Sequence, residues 1–369
     1  MPERLISCLG LFVMIAIAWG ISENRKQTNW RLVVSALGLQ FALALLILRT
    51  RFGPLFFGWV RDVFIIVTDA SNEGASFIFG SLTKVIELSP GTVVDAEGSF
   101  FINGVLAFSV LPTIIVVSAL AGILYHLRVI PFLISAMAKL MQRTLKTSGA
   151  ETFGVAILIF MGIEGMTTLK AYLKHMTRSE LMVLMTAFMA TIAANVSLIY
   201  ASFGAEPGHL LAASIMSAPA ALLIAKIMIP VTDGVDAEVD DVKIEIESHN
   251  VMDGAVRGAS EGVMLALNIG AVLITFVALI FLVNQGCSWM FGMSFTEIMG
   301  WFFRPFAWVM GIPLSEVAAA GELLGTKTVV NEFLAYESMG SMLEAGKLSP
   351  RSITILTYAL CGFANPGSL

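Results

Sequence analysis

The sequence predicts an all-α polytopic membrane protein built on inverted repeats, with two re-entrant helical hairpins and broken transmembrane helices. Three observations carry that reading. Hydrophobic residues make up 57% of the 369 and charged residues 13%, with mean hydropathy +0.84, so the polar surface that a soluble domain of this length needs is missing. Polar breaks at Glu164-Gly165, Asn195, Asn331-Glu332 and Asn365-Pro366-Gly367-Ser368 interrupt runs that are otherwise membrane material. An acid at mid-membrane costs roughly 2.5 to 3.5 kcal/mol on insertion scales, and a Pro-Gly pair frees backbone groups, so each break must face a cavity or a partner. The third observation is that the order of these features recurs along the chain.

Residues 1–100 read as N-terminal spans and an interfacial segment. Leu5 to Ile21 is apolar, and although Ala16-Ile17-Ala18 resembles a signal-cleavage site, a second run, Leu32 to Leu48, follows at once, so the first is a span. Arg25, Lys26 and Arg31 lie between the two, which puts that loop in the cytoplasm and the N-terminus outside. In residues 52 to 98, glycines and acids divide short apolar pieces, giving interfacial helices and loop. Residues 101–146 hold a third span, Phe101 to Leu124 with a kink expected at Pro112, and an amphipathic helix, Ile130 to Lys146. In that helix Lys139, Arg143 and Lys146 stand among Phe132, Leu133, Met137, Leu140 and Met141.

Residues 147–230 form the first repeat. Arms Phe153 to Ile163 and onward to Leu173 flank Glu164-Gly165, each shorter than the ~20 residues a crossing helix needs. A span from Glu180 to Phe203, broken near Asn195, and an intact span from His209 to Ile229 complete it. An acidic cytoplasmic loop takes 231–253. Residues 254–312 supply a long span, Gly254 to Val283, which exits near Asn284-Gln285, and an interfacial helix, Phe295 to Met310. The second repeat, 313–369, has arms Val317 to Leu324 and Val329 to Tyr336 around Asn331-Glu332, then a span from Ser352 broken at Asn365. The first hairpin dips from the cytoplasm and the second from outside. That arrangement places a solute site at the shared midplane, where half-helix ends supply dipoles and free backbone groups. Nothing after Leu369 answers to the span 209–229, so on this reading the sequence stops short of the repeat's last member.

Enzyme chemistry finds little footing. There is no P-loop and no H-E-x-x-H, and His126, His175, His209 and His249 are scattered. Gly258-Ala259-Ser260-Glu261-Gly262 matches G-x-S-x-G but opens a membrane helix instead of joining a strand to a helix. Cys8, Cys287 and Cys361 are too far apart to read as a disulfide framework or a metal site. With a net charge of −5 and its bases in short loops, the chain is not expected to bind nucleic acid. The expected partners are the lipid bilayer and a small polar solute, with no cofactor. Lys327 reads as a snorkelling anchor, and Glu151 and Asn268 as structural glue.

Several stretches carry a family pattern: Met141-Gln142-Arg143-Thr144 with Thr147-Ser148-Gly149-Ala150-Glu151; Leu211 to Ser214 with Met216 to Ala220; and Leu265-Ala266-Leu267-Asn268. The strongest are Leu324-Gly325-Thr326-Lys327 with Asn331-Glu332-Phe333, and Thr357 to Asn365. In these, from about Leu111 to Leu369, the chain resembles the concentrative nucleoside transporters, cation-coupled symporters that are typically homotrimers. The resemblance implies that Glu332, Asn365 and Ser368 contact the ribose, and that cation ligands lie near Asn195-Val196, with Met161 beside them. Gly162, Ile163 and Glu164 then form the first hairpin's side of the site. The family's first hairpin usually reads Asn-Ile-Phe-Val-Gly-Gln-Thr-Glu-Ala-Pro. Here Leu158-Ile159-Phe160-Met161-Gly162-Ile163-Glu164-Gly165 is one residue shorter, the sodium-binding Asn becomes Leu158, a base-reading Gln or Thr becomes Ile163, and the Pro is gone. The implied function is symport of nucleosides or nucleoside-like solutes into the cell across the inner (cytoplasmic) membrane, coupled to Na+ or H+. The alternatives are another small polar solute on the same scaffold, or a gated pore.

Overall fold

A computed structural model describes residues 2–80, 108, 111–162, 169–170, 173–174, 176–231 and 248–365. All regular structure among the described residues is helical. The first two helices, α1 (Pro2–Gly20) and α2 (Trp30–Arg49), are the N-terminal spans. The 19 residues of α1 extend about 28 Å, and the contacts at its two ends define two opposite faces of the molecule. At its start, Glu3 pairs with Arg351 at 3.6 Å, and the same guanidinium donates to Gly311 O at 2.8 Å. Just past its end, Glu23 pairs with Arg178 at 3.0 Å, and the Glu23 N–H donates to Met228 O at 2.9 Å. Arg25 and Lys26 stand at that second end, the one the charge pattern assigns to the cytoplasm.

Residues 52–79 depart from expectation. They form one continuous 28-residue helix, α3 (Phe52–Phe79), in place of several short pieces, and α3 is not among the helices long and apolar enough to cross a bilayer. Val60, Val67, Ser71 and Ala75 are buried along one stripe, and Asp62, Asp69 and Glu73 each follow a stripe residue by two positions, about 200° around the helix. The acids lower the average hydropathy without interrupting the packed face.

Helix α4 (Leu111–His126) is the described part of the third span; of residues 101–110 only Phe108 is described. A 75° bend separates it from α5 (Val129–Leu145), at Arg128 in left-handed geometry (φ 61°). Helix α5 is amphipathic as expected, burying Ile130, Ile134, Ala138, Met141 and Leu145 while Phe132, Leu133 and Leu140 face out.

The first hairpin begins with α6 (Gly149–Met161); its tip and most of the second arm lie outside the described residues. The broken span consists of α7 (Arg178–Ala190), extended Thr191-Ile192-Ala193, and α8 (Ala194–Ser202). Next come the intact α9 (Pro207–Met228) and, after a loop of which 232–247 lie outside the described residues, α10 (Val251–Phe291). Among the described residues α1, α2, α9 and α10 are each long and apolar enough to cross a bilayer. The helix does not end at Asn284-Gln285, where the span is expected to leave the membrane. The helix continues to Phe291, and Asn284 Oδ1 accepts from the Thr296 N–H at 3.1 Å, tying α10 to the start of α11 (Phe295–Val309).

The second hairpin is α12 (Val317–Val329) and α13 (Glu332–Glu344), so its arms are longer than expected and its tip is Val330-Asn331. Asn331 does not interrupt an arm; it caps the second, its Oδ1 accepting from the Leu334 N–H at 3.0 Å. The last described helix, α14 (Pro350–Leu360), ends before Cys361, four residues earlier than the expected break at Asn365. Gly362, at φ 142°, takes a conformation open to glycine, so the ladder stops there and not at the proline.

Glycines set how two helix pairs pack. Along α10, Gly254, Gly258 and Gly262 face Gly122, Ser118 and Ile115 of α4; a Cβ on Gly258 would sit 2.2 Å from Ser118 O, and one on Gly262 2.8 Å from Ile115 Cα. The glycines of the G-x-S-x-G match are therefore a helix-packing seam. Gly321 and Gly325 of α12 likewise lie against Gly300 of α11. Asn268 is exposed on α10, and among the described residues no side-chain bond ties it to another helix.

Each hairpin is tied at its base to the broken helix of its own repeat, at opposite ends of the molecule. At the Arg178 end, Ser148 Oγ donates to Glu180 Oε1 at 2.6 Å, and buried Glu151, which shares a capping box with Ser148, pairs with Lys226 of α9 at 2.7 Å. At the Arg351 end, the Ser349 N–H and hydroxyl donate to Glu316 Oε2 at 3.1 and 3.0 Å. Burial pushes the Glu316 carboxyl up, but bonds from Ser352 and Ser349 outweigh it and hold it below its ordinary range.

Candidate functional site

The two broken helices meet. A Cβ on Gly362 would lie 2.6 Å from Met189 O and 3.0 Å from the Ala190 carbonyl carbon, so only glycine lets the second break rest on the end of α7. Ser214 of α9 stands between the breaks, donating to Ile192 O at 3.1 Å with its oxygen 3.8 Å from Cys361 Sγ.

Beside this crossing, Glu332 is the first helical residue of α13, so the positive end of that half-helix lies behind its carboxylate. Oε1 accepts from the Tyr200 hydroxyl of α8 at 2.9 Å, and Oε2 from Asn365 Nδ2 at 2.8 Å. The carboxylate is thus held by one residue from each repeat, with Glu332 6% and Asn365 5% exposed. A carboxylate has about four lone-pair sites, so the bonds from Tyr200 and Asn365 do not exhaust its capacity to accept. Two further donors from the second hairpin serve the C-terminal end of α14, where the helical ladder has run out. The Tyr336 hydroxyl donates to Thr357 O at 2.7 Å and Lys327 Nζ to Ala359 O at 2.8 Å. Lys327 is therefore no snorkelling anchor; its ammonium turns inward onto a carbonyl at the negative pole of a half-helix.

Of the residues singled out in the sequence, Glu332 and Asn365 are brought together. Gly162 ends α6 at φ 62°, its N–H on Leu158 O, with Met161 just before it. Helix α6 packs on α8, whose second and third residues are Asn195 and Val196; the Val196 N–H bonds Ala193 O at 3.1 Å. Ile163, Glu164 and Ser368 lie outside the described residues. Leu158 is buried in an apolar cluster with Val155, Ile159 and Val183, where it offers no oxygen. Among the described residues no three His, Cys, Asp or Glu side chains converge as a metal site.

Comparison with known proteins gives this geometry its context. The description "Na+ dependent nucleoside transporter C-terminus" matches residues 209–369, its N-terminal counterpart matches 9–82, and "Nucleoside recognition" matches 107–207. The nucleoside permease NupC of Helicobacter pylori is 36% identical over 100% of this chain and 88% of its own length. The chain belongs to the Na+ dependent nucleoside transporter family. Within that family, solute carrier family 28 member 3 of Rattus norvegicus is 38% identical, and the chain spans about half of that relative, 53%. The structure of CNTnw in an inward-facing substrate-bound state aligns over 99% of this chain and 88% of that one, at 36% identity and TM-score 0.88. Membership of the Na+ dependent nucleoside transporter family makes this a multi-pass membrane transporter and not an enzyme.

Sequence reasoning missed Tyr200. It stands in the apolar run Val196 to Tyr200 and reads as a core aromatic. Its signal is general: a tyrosine hydroxyl carried into an apolar interior needs a partner, and an acid elsewhere in the same interior needs donors.

Proposed function

We propose that the chain is a symporter that carries nucleosides or nucleoside-like solutes into the cell across the inner (cytoplasmic) membrane, coupled to Na+, as a homotrimer. The observation that carries this reading is the buried Glu332 carboxylate, held by Tyr200 and Asn365 at the crossing of two broken helices. Glu332 and Asn365, with Ser368, take the ribose hydroxyls. Gly162, Ile163 and Glu164 close the site from the first hairpin. Met161, Asn195 and Val196 stand at the cation position, where half-helix carbonyls supply oxygens. The names of relatives point the same way: one is a sodium/nucleoside cotransporter of Homo sapiens, 34% identical.

One feature favours proton coupling as a second reading. Leu158 removes a side-chain oxygen from the cation position, and a hard cation sheds water only where enough oxygens replace it. Sodium affinity is expected to be weak, and Glu332 or Glu164 is then the group to carry a proton. The test is uptake of labelled uridine by the purified full-length protein in proteoliposomes under imposed sodium or proton gradients. Sodium-driven accumulation that saturates only at high sodium supports the first reading, and proton-driven accumulation supports the second. Equilibration that neither gradient can drive uphill would mean a pore.

A further inference from the structure

Helix α8 joins two places that a symporter must connect. It starts directly after extended Thr191-Ile192-Ala193, and the Val196 and Ser197 N–H groups both bond Ala193 O at 3.1 Å, so the end of the break is locked into the helix's first turn. One turn later, about 6 Å along the axis, Tyr200 donates to Glu332 Oε1 at 2.9 Å. The ring has little freedom of its own. Tyr200 is 1% exposed, stacks on Tyr336 at 4.5 Å with planes 15° apart, and meets Phe333 edge-on at 6.4 Å. The hydroxyl of Tyr336 is committed to Thr357 O, within the second repeat. Tyr200 is thus the side chain that carries the position of the first repeat's break to the carboxylate, as Asn365 carries that of the second.

We propose that Tyr200 is a positioning residue that couples the two ligands: cation occupancy at the first repeat's break sets α8, and α8 sets the Glu332 carboxylate through the Tyr200 hydroxyl. The inference rests on the symport reading above. A hydroxyl donating to a carboxylate oxygen fixes the plane of that carboxylate and leaves its remaining lone pairs aimed at the solute. A break left unfilled lets α8 shift, and the donor is withdrawn or misaimed. Coupling of this kind is reciprocal, so the factor by which the cation tightens solute binding equals the factor by which the solute tightens cation binding.

The variant is Tyr200→Phe, which keeps the stacked ring and removes one oxygen. Uridine and sodium binding are measured separately by calorimetry on the purified protein, each with and without the other. Wild type is expected to bind uridine more tightly as sodium rises. In Tyr200→Phe, uridine affinity at saturating sodium falls about tenfold, as for loss of one charge-assisted hydrogen bond, and its dependence on sodium collapses, while sodium binding without uridine is unchanged. A residue with a merely structural role would lower both affinities and leave their ratio intact. An unchanged coupling factor in Tyr200→Phe, or lost sodium binding in the absence of uridine, overturns the inference and leaves the symport reading standing. Absence of linkage in wild type overturns the inference and the sodium-coupled reading together, leaving proton coupling or a pore. Where Tyr200→Phe does not fold, 3-fluorotyrosine at position 200 of the otherwise unchanged protein gives a second readout. Its fluorine resonance is expected to shift on sodium alone, before any uridine is added, and a resonance that moves only with uridine rejects the coupling.

Discussion

Glu332 has two donors at 2.8 and 2.9 Å and almost no exposure, so its charge matters more than its volume. Glu332→Gln keeps the shape and is expected to reach the membrane in normal amounts. Uridine uptake should fall by about a hundredfold, since hydrogen bonds to a charged group are worth about 1.5 to 3 kcal/mol each; wild-type rates would remove Glu332 from the site. Selectivity follows from the same side chains. On the proposed reading the site hydrogen-bonds sugar hydroxyls and rejects analogues lacking them, because its own buried groups are left unpaired, while an apolar Ile163 on the base side would offer nothing by which a base could be told apart. Competition against uridine uptake should therefore show deoxyribonucleosides well behind ribonucleosides, and uridine and adenosine close together. The reverse ranking would return base reading to the first hairpin. Glu332 was legible in the sequence because an acid inside an apolar run demands an explanation. Tyr200 was not, since nothing local separates a tyrosine that packs from one that also donates. Lys327 was misread because the inward turn of its ammonium depends on the end of α14, thirty-two residues on.

At the scale of elements, close backbone approach and buried charge set what can change. Gly258→Ala forces its Cβ against Ser118 O and should cost about 1 to 3 kcal/mol as overpacking. Gly286→Ala, on the same helix with nothing within 4 Å, should be neutral or stabilising by up to about 1 kcal/mol. Melting of the detergent-solubilised proteins checks the pair, and equal effects would mean that the seam does not govern packing. The buried Glu151–Lys226 pair fastens the first hairpin to α9. Lys226→Met strands a buried carboxylate and should destabilise by about 3 to 5 kcal/mol, and adding Glu151→Gln should restore much of that loss, since Gln keeps the capping box. A double variant no better than the single one would show that the charge itself is not the problem. The sequence announced the broken spans through local chemistry, but Asn331 read as an interruption of an apolar run and not as the helix cap it is. It hid α3, because Asp62, Asp69 and Glu73 lower a linear average that only the helical arrangement resolves into two faces. The length of α10 was hidden for a different reason, since the bond by which Asn284 ties α10 to the start of α11 depends on a residue of the next helix.

Across the whole molecule, the contacts of Glu3 and Glu23 sort the loops into two sets, and the charge of the loops predicts which set faces the cytoplasm. In a cysteine-free background, Lys26→Cys should react with an impermeant thiol reagent only from the cytoplasmic side and Lys347→Cys only from outside. Labelling in the opposite sense would invert the orientation. The order of the repeats was readable because it is written in loop charge and break position. The crossing of the breaks was not, because it depends on Gly362 and Ser214 meeting residues far away in the chain. The ties at the hairpin bases also set the kinematics. With its foot held by Glu316 and Ser349, the second hairpin is a lever whose pivot lies at the molecular face and whose load is the carboxylate at its tip. Helix α12, at 13 residues, gives an arm of about 20 Å, so a swing of about 10° carries the tip through an arc of about 3.5 Å. That distance takes both bonds of Glu332 beyond hydrogen-bonding reach, and it requires no residue of either arm to leave its helix.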